Sequence, residues 1–240
     1  MSTAYGPYLE RVRAARRPSG GVLLEGVHAL KHARRFGADV EVVLTPDLER
    51  LRTLLADLAP DVTLPQATVE VDVTAWRALT DGRDLPSPAL AVAAHPHVSV
   101  GDVLASPGHL VVLESPRHLG NLGAVIRVAA AADAGGVLVV GDADPWHPTA
   151  VRAGAGLQFA LPVARVDRLP ETDRPLVALD AGGEPLDDLP DDALLLFGTE
   201  RGGLSASLRG RANRTVSIPM RAGVSSLNLA TAAAAVLFRR

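Results

Sequence analysis

The chain has no cysteine in its 240 residues. Disulfides, zinc–thiolate sites, iron–sulfur clusters and thiol nucleophiles are therefore excluded. Aromatic residues are also scarce. Two Trp, two Tyr and four Phe are too few for base-stacking platforms of the RNA-recognition or oligonucleotide-barrel type. No stretch reaches the roughly 18 uninterrupted apolar residues of a membrane span, and residues 1–10 lack the basic-then-apolar order of a secretory leader. A cytoplasmic protein without a membrane partner is expected. Seven histidines invite a metal hypothesis, but no His/Asp/Glu cluster has metal-ligand spacing, so no metal is expected.

What is present is a chain 48% hydrophobic and 21% charged, able to bury one or two cores. The net charge of −3 hides a segregation. Residues 1–36 hold Arg11, Arg13, Arg16, Arg17, Lys31, Arg34 and Arg35 against Glu10 and Glu25, a net +5. Residues 201–240 hold seven arginines and no acid, so residues 37–200 carry −15. Two basic ends around an acidic middle suggest a polyanionic partner met at the ends. Codon bias accounts for arginine standing at 23 of the 24 basic positions, but not for the clustering.

Punctuation by His95-Pro96-His97 and Ser106-Pro107-Gly108 divides the chain into a domain over 1–98, a linker over 99–108 and a domain over 109–240. In the first, strands over 21–25, 40–45 and 90–94 and helices over 27–36 and 47–58 predict a small α/β sandwich. In the second, apolar strands over 110–113, 137–140, 163–166, 176–179, 194–197 and 215–218 are interspersed with helices over 122–132, 149–157 and 226–238. That alternation predicts an α/β fold with a largely parallel sheet covered on both faces.

Ligands of open parallel sheets sit beyond the carboxyl ends of the strands, which directs attention to three loops. The first carries Gly120, Asn121, Gly123 and Arg127; the second reads Gly198-Thr-Glu200-Arg-Gly-Gly203-Leu204; the third runs from Ile218-Pro-Met220 to Ser225-Ser226-Leu227-Asn228. Each alone is satisfied by ordinary structure: Asn121 or a serine as a helix cap, the glycines as turn formers, Met220 as core. The spaced glycines of a dinucleotide fingerprint are missing, as is the Gly-Lys-Ser/Thr of a phosphate loop, which argues against a nicotinamide-dependent dehydrogenase.

Taken in order and spacing, the three loops resemble the motifs of the SpoU/TrmH family of the SPOUT superfamily, RNA 2′-O-ribose methyltransferases. Asn121-Leu-Gly123-Ala-Val-Ile-Arg127 is similar to motif one, Phe197-Gly198-Thr-Glu200-Arg-Gly-Gly203-Leu204 to motif two, and Ile218-Pro-Met220 with Ser226-Leu-Asn228 to motif three. The resemblance implies S-adenosylmethionine as cofactor, RNA as partner (ribosomal favoured over transfer), a deep trefoil knot, and a homodimer in which motif one faces the other subunit's cofactor pocket. Residues 1–98 would form an RNA-binding domain contacting RNA through Arg11, Arg13, Arg16, Arg17, Lys31, Arg34 and Arg35. Phe197, Gly198, Thr199, Gly203, Ile218, Met220, Ser226 and Leu227 would hold the cofactor. Arg127 would be the catalytic arginine, with Asn121, Glu200, Ser226 and Asn228 orienting it, the ribose or the cofactor. Two positions depart from the family pattern: His118-Leu119 stand where Asp-Pro is common, and Thr199 where Asn or Gln is common. A non-catalytic RNA-binding or ribosome-associated protein retaining the fold is the alternative reading.

Overall fold

The structure, a computed structural model, describes residues 5–199 and 202–239; Glu200, expected in the site, lies outside them. Along the chain run α1 (Gly6–Ala15), β1 (Val22–Glu25), α2 (Val27–Arg35), β2 (Val40–Thr45), α3 (Leu48–Leu58), β3 (Thr68–Glu70), α4 (Val73–Leu79) and β4 (Leu90–Ala93). Then follow α5 (Val100–Ala105), β5 (Leu110–Glu114), α6 (Leu119–Ala131), β6 (Gly136–Val140), α7 (Pro148–Ala153), β7 (Val163–Val166), β8 (Leu176–Pro185), β9 (Leu194–Phe197), α8 (Ala206–Arg211), β10 (Arg214–Ser217) and α9 (Leu229–Leu237). The chain forms two compact units: one up to His97 together with Trp146–Ala160, the other Val98–Pro145 together with the residues from Leu161 on.

In the first unit the described strands make a four-stranded sheet in the order β1-β4-β2-β3. β4 is antiparallel to β1 and β2, and β2 is parallel to β3. Its core gathers Val12, Leu23, Leu44, Leu79, Leu90 and Val92. Three elements were not expected, for recognisable reasons. α1 buries only Val12 and Ala15, and β3 buries none of its three residues. α4 is short, and its signal is a cap: Asp72 accepts the Ala75 N–H at 2.8 Å.

The inclusion of Trp146–Ala160 in this unit corrects the expected domain assignment. Helical pattern predicts a helix near 149–157 but not the surface it packs on. α7 is followed by a 3-10 turn (Leu157–Phe159), and the segment is fastened at several points. Trp146 packs against His95 and Phe159, with ring centroids 4.9 and 5.1 Å apart. His32 Nδ1 lies 2.7 Å from the Ala155 carbonyl. Glu25, its side chain 1% exposed, is held by Arg83 at 2.6 Å and by Arg152 of α7 at 2.9 Å.

In the second unit the described strands form an all-parallel sheet in the order β10-β8-β9-β5-β6-β7. β6 and β9 are buried along their whole length, as a sheet covered on both faces requires. The stretch expected as a linker instead contains α5, whose Val103 is fully buried in this unit's core. A six-residue helix is too short to show periodicity, but Ser99 and Asp102 form a reciprocal capping box that marks its start. Arg174 fixes the end of the stretch by donating to the carbonyls of Leu104, Ser106, Gly108 and Asp192. α6 and α9 pack together, with Ala129 and Ala233 fully buried.

The ion-paired Glu25 sets a pH dependence. Burial pushes its carboxyl up, but hydrogen bonds and charge from Arg83 and Arg152 outweigh this and hold it below the usual carboxylate value. A depressed folded-state value gives stability that is present above the unfolded value and lost as pH falls through the folded one. Glu25→Gln is expected to cost roughly 2 kcal/mol at pH 7, less than a fully buried pair because both arginines reach solvent. Urea denaturation from pH 7 to 3 should show the gap between variant and wild type closing below about pH 4.

Candidate active site

At the carboxyl ends of β8, β9 and β10, where a parallel sheet places its ligands, the second unit contains a cavity of about 540 Å³. That size suits a nucleoside-sized molecule. Phe197 enters it from the end of β9, followed by Gly198, Thr199 and Gly203 of the next loop. Ile218 and Met220 come from the segment after β10, and Ser226 and Leu227 from the approach to α9. All eight residues expected around the cofactor therefore line one space.

The loop after β9 owes its shape to a close approach of the chain to itself. A Cβ on Gly198 would stand 2.0 Å from the Gly203 carbonyl carbon and 2.2 Å from the Leu204 nitrogen. The backbones of Thr199 and Gly203 exchange hydrogen bonds at 3.0 and 3.1 Å, and Thr199 Oγ1 accepts the Gly202 N–H at 2.9 Å. Gly198 is thus required by the fold-back, and the Thr199 hydroxyl closes its own turn. The loop's far end is tied to β5, where Glu114 Oε2 accepts the Ser205 N–H at 2.7 Å.

Two capping expectations are corrected. α6 begins at Leu119, so Asn121 lies inside its first turn and His118 holds the cap position without a side-chain cap. At α9 the cap is Asn228, not a serine. Its Oδ1 accepts the N–H groups of Ala230 at 2.9 Å and Thr231 at 3.4 Å, which turns its Nδ2 outward to donate to Asn121 Oδ1 at 3.1 Å. Asn121 and Asn228, 107 residues apart in sequence, are thereby joined. Arg127 stands exposed on α6 and does not line the cavity.

One segment of the wall was not anticipated. Leu179, Asp180 and Ala181 line the cavity because β8 does not stop at residue 179. Its pairing with β10 jumps from Thr215↔Ala178 to Val216↔Glu184, looping out 179–183. The Asp-Ala-Gly-Gly run directly after a buried strand was the available signal.

The basic ends prove partly self-neutralised. Arg11 pairs with Glu41, Arg16 with Asp81 and Arg35 with Asp61, each at 2.6 Å. Arg209, Arg211 and Arg214 pair with Asp180, Glu171 and Asp187. Counting charge along the chain cannot see these pairs across the fold. Of the seven N-terminal basic residues, Arg13 and Arg17 are exposed, and Lys31 and Arg34 are half-buried; none of these four makes an ion pair among the described residues. Among the described residues no group of three or more His, Asp or Glu could hold a metal, and no helix is long and apolar enough to cross a membrane.

Asn228 has two separable jobs. Asn228→Ala should lose the cap and lower stability by about 1 kcal/mol, whereas Asn228→Asp keeps the cap acceptor and should stay within about 0.5 kcal/mol of wild type. Thermal melts of both variants check this; equal losses would mean that the Asn121 contact, not the cap, carries the stability.

Comparison with known proteins now places the chain. Residues 108–238 match the SpoU rRNA Methylase family. A 23S rRNA (uridine(2479)-2'-O)-methyltransferase of Streptomyces viridochromogenes is 31% identical, over 94% of this chain and 84% of that protein. A 23S rRNA (adenosine(1067)-2'-O)-methyltransferase of Streptomyces azureus is 28% identical, over 98% of this chain and 92% of that one. The solved structure of the SpoU methyltransferase AviRb from Streptomyces viridochromogenes, in complex with AdoMet, superposes with a TM-score of 0.79 at 28% identity, covering 96% of this chain and 95% of that chain. With the matched segment spanning more than half of its length, the chain belongs to the SpoU rRNA methylase family.

Proposed function

We propose that this protein transfers the methyl group of S-adenosylmethionine to a ribose 2′-hydroxyl of ribosomal RNA. The observation that carries the reading is the cavity beyond β8, β9 and β10, built by the segments that resemble motifs two and three. Its chemistry fits the cofactor: Phe197, Ile218 and Leu227 offer apolar surface to an adenosine, and Ser225 and Ser226 offer hydroxyls. The two relatives aligned over nearly the full chain are named for 2′-O-methylation of 23S rRNA, which favours ribosomal over transfer RNA and a cytoplasmic location.

Bound S-adenosylmethionine supplies an electrophilic methyl carbon on a sulfonium. The chain's own residues must align the 2′-oxygen with that carbon and help remove the hydroxyl proton. A guanidinium stays protonated at physiological pH and is a poor unaided base. Arg127 therefore acts by clamping the phosphate beside the target ribose, while Asn121, Asn228, Ser226 and Glu200 orient it, the ribose or the cofactor. Arg127 does not line the cavity of its own chain, which agrees with the homodimer that the family resemblance implies, in which the partner subunit's Arg127 serves the cavity. The exposed apolar side chains of Val224 and Phe238 are surface that a second copy would cover. The trefoil knot that the family resemblance implies is part of this reading.

Calorimetry should detect S-adenosylmethionine binding; no binding would favour the non-catalytic alternative. Arg127→Ala is expected to abolish methyl transfer to 23S rRNA while leaving cofactor affinity within about threefold of wild type. Full activity in that variant would refute the role. On the RNA side, replacing both Arg13 and Arg17 by Gln should weaken binding of transcribed 23S rRNA and flatten its salt dependence by about 1.5 in log–log slope. The ion-paired Arg35, changed to Gln, should alter both far less.

A further inference from the structure

Asp180 is the only charged side chain among the described residues lining the cavity. Its place is set by backbone. The 179–183 segment is looped out of the β8–β10 ladder, and the loop closes tightly because Gly183 has no side chain: a Cβ there would lie 2.7 Å from the Thr215 carbonyl. Ser217 Oγ donates to the Gly183 carbonyl at 2.9 Å, fastening the loop's base.

Among the described residues, two donors hold the carboxylate itself. Oδ1 accepts the Gly182 N–H at 3.0 Å, and Oδ2 meets Arg209 Nη2 at 3.0 Å. Arg209 also donates to the Leu204 carbonyl at 3.3 Å, so the pair connects β8 to the end of the fold-back loop. A carboxylate offers about four acceptor positions, which leaves one on each oxygen. Its charge, meanwhile, is balanced by Arg209. What remains to offer a ligand is therefore a fixed pair of acceptors more than a net negative charge. Two adjacent neutral donors match that offer better than a cation does, and a vicinal diol presents two hydroxyl donors side by side.

Resting on the proposed S-adenosylmethionine site, we propose that Asp180 binds the 2′,3′-diol of the cofactor's ribose and so selects ribonucleosides. Arg209 is a positioning residue that holds the acceptor pair in place.

Calorimetry with S-adenosylmethionine, S-adenosylhomocysteine and 5′-methylthioadenosine separates this role from others, because all three carry the diol, only the first two an ammonium, and only the first a sulfonium. Asp180→Asn should weaken all three by a similar factor, about tenfold. Wild type should bind the 2′,3′-dideoxy form of 5′-methylthioadenosine about tenfold more weakly than the parent, and the variant should show little further loss with it. Loss confined to S-adenosylmethionine would reassign Asp180 to the sulfonium, and loss confined to the two amino-acid-bearing ligands would reassign it to the ammonium. Equal binding of the diol and dideoxy forms by wild type would overturn the proposal even if Asp180→Asn failed to fold. Failure of wild type to bind any of the three nucleosides would instead remove the proposed cofactor site itself.

Discussion

The candidate site depends on one close approach, that of Gly198 to Gly203 and Leu204. Only a residue without a Cβ permits it, since the nearest backbone atom would otherwise lie 2.0 Å away. Once the loop is folded back, Thr199 can close the turn with its hydroxyl, and Ser205 is delivered to Glu114 at the end of β5 and to the cap of α8. The wall formed by Phe197, Thr199 and Gly203 follows from the same contact. Rigidity here comes from backbone packing and backbone hydrogen bonds, reinforced by the Thr199 hydroxyl.

The central strands β6 and β9 were legible because each is a continuous apolar, fully buried run; β9 matches its expected range residue for residue, and so does β7 although the exposed Arg165 interrupts it. The motif residues were legible through the resemblance of three ordered loops to the motifs of a known family, since each loop alone is satisfied by ordinary turns and caps. Where the sequence was silent, the deciding contacts are long-range. The joining of Asn121 to Asn228 spans 107 residues, and no local pattern announces it. Asp180 was hidden because the strand pattern ends at residue 179 while the pairing resumes at 184, and a looped-out segment has no period. α5 was hidden by its length, although its capping box stood in plain view.

Charge offers the clearest case of chain order and space disagreeing. Clusters of arginine at both ends suggested two basic surfaces, yet several of those arginines reach acids of the central stretch: Asp61, Asp81, Glu171, Asp180 and Asp187. Part of the acidic middle is thus the counter-charge of the basic ends. Exposed pairs of this kind add little stability, but they cancel part of the field that an RNA backbone would feel. Among the described residues of the N-terminal cluster, Arg13 and Arg17 remain exposed and without an ion pair, so the uncompensated charge is local.

The membership of Trp146–Ala160 in the first unit means that the polypeptide passes between the units three times, near residues 97, 145 and 160. The segment that matches the methylase family, 108–238, is therefore not a self-sufficient building block. Cut out at residue 99, it would carry Trp146, Ala150 and Val151, all buried in the whole chain, without the sheet, His95 and Glu25 that they and Arg152 pack on. Exchange of the N-terminal unit between relatives, by recombination or by design, would have to exchange residues 146–160 along with it.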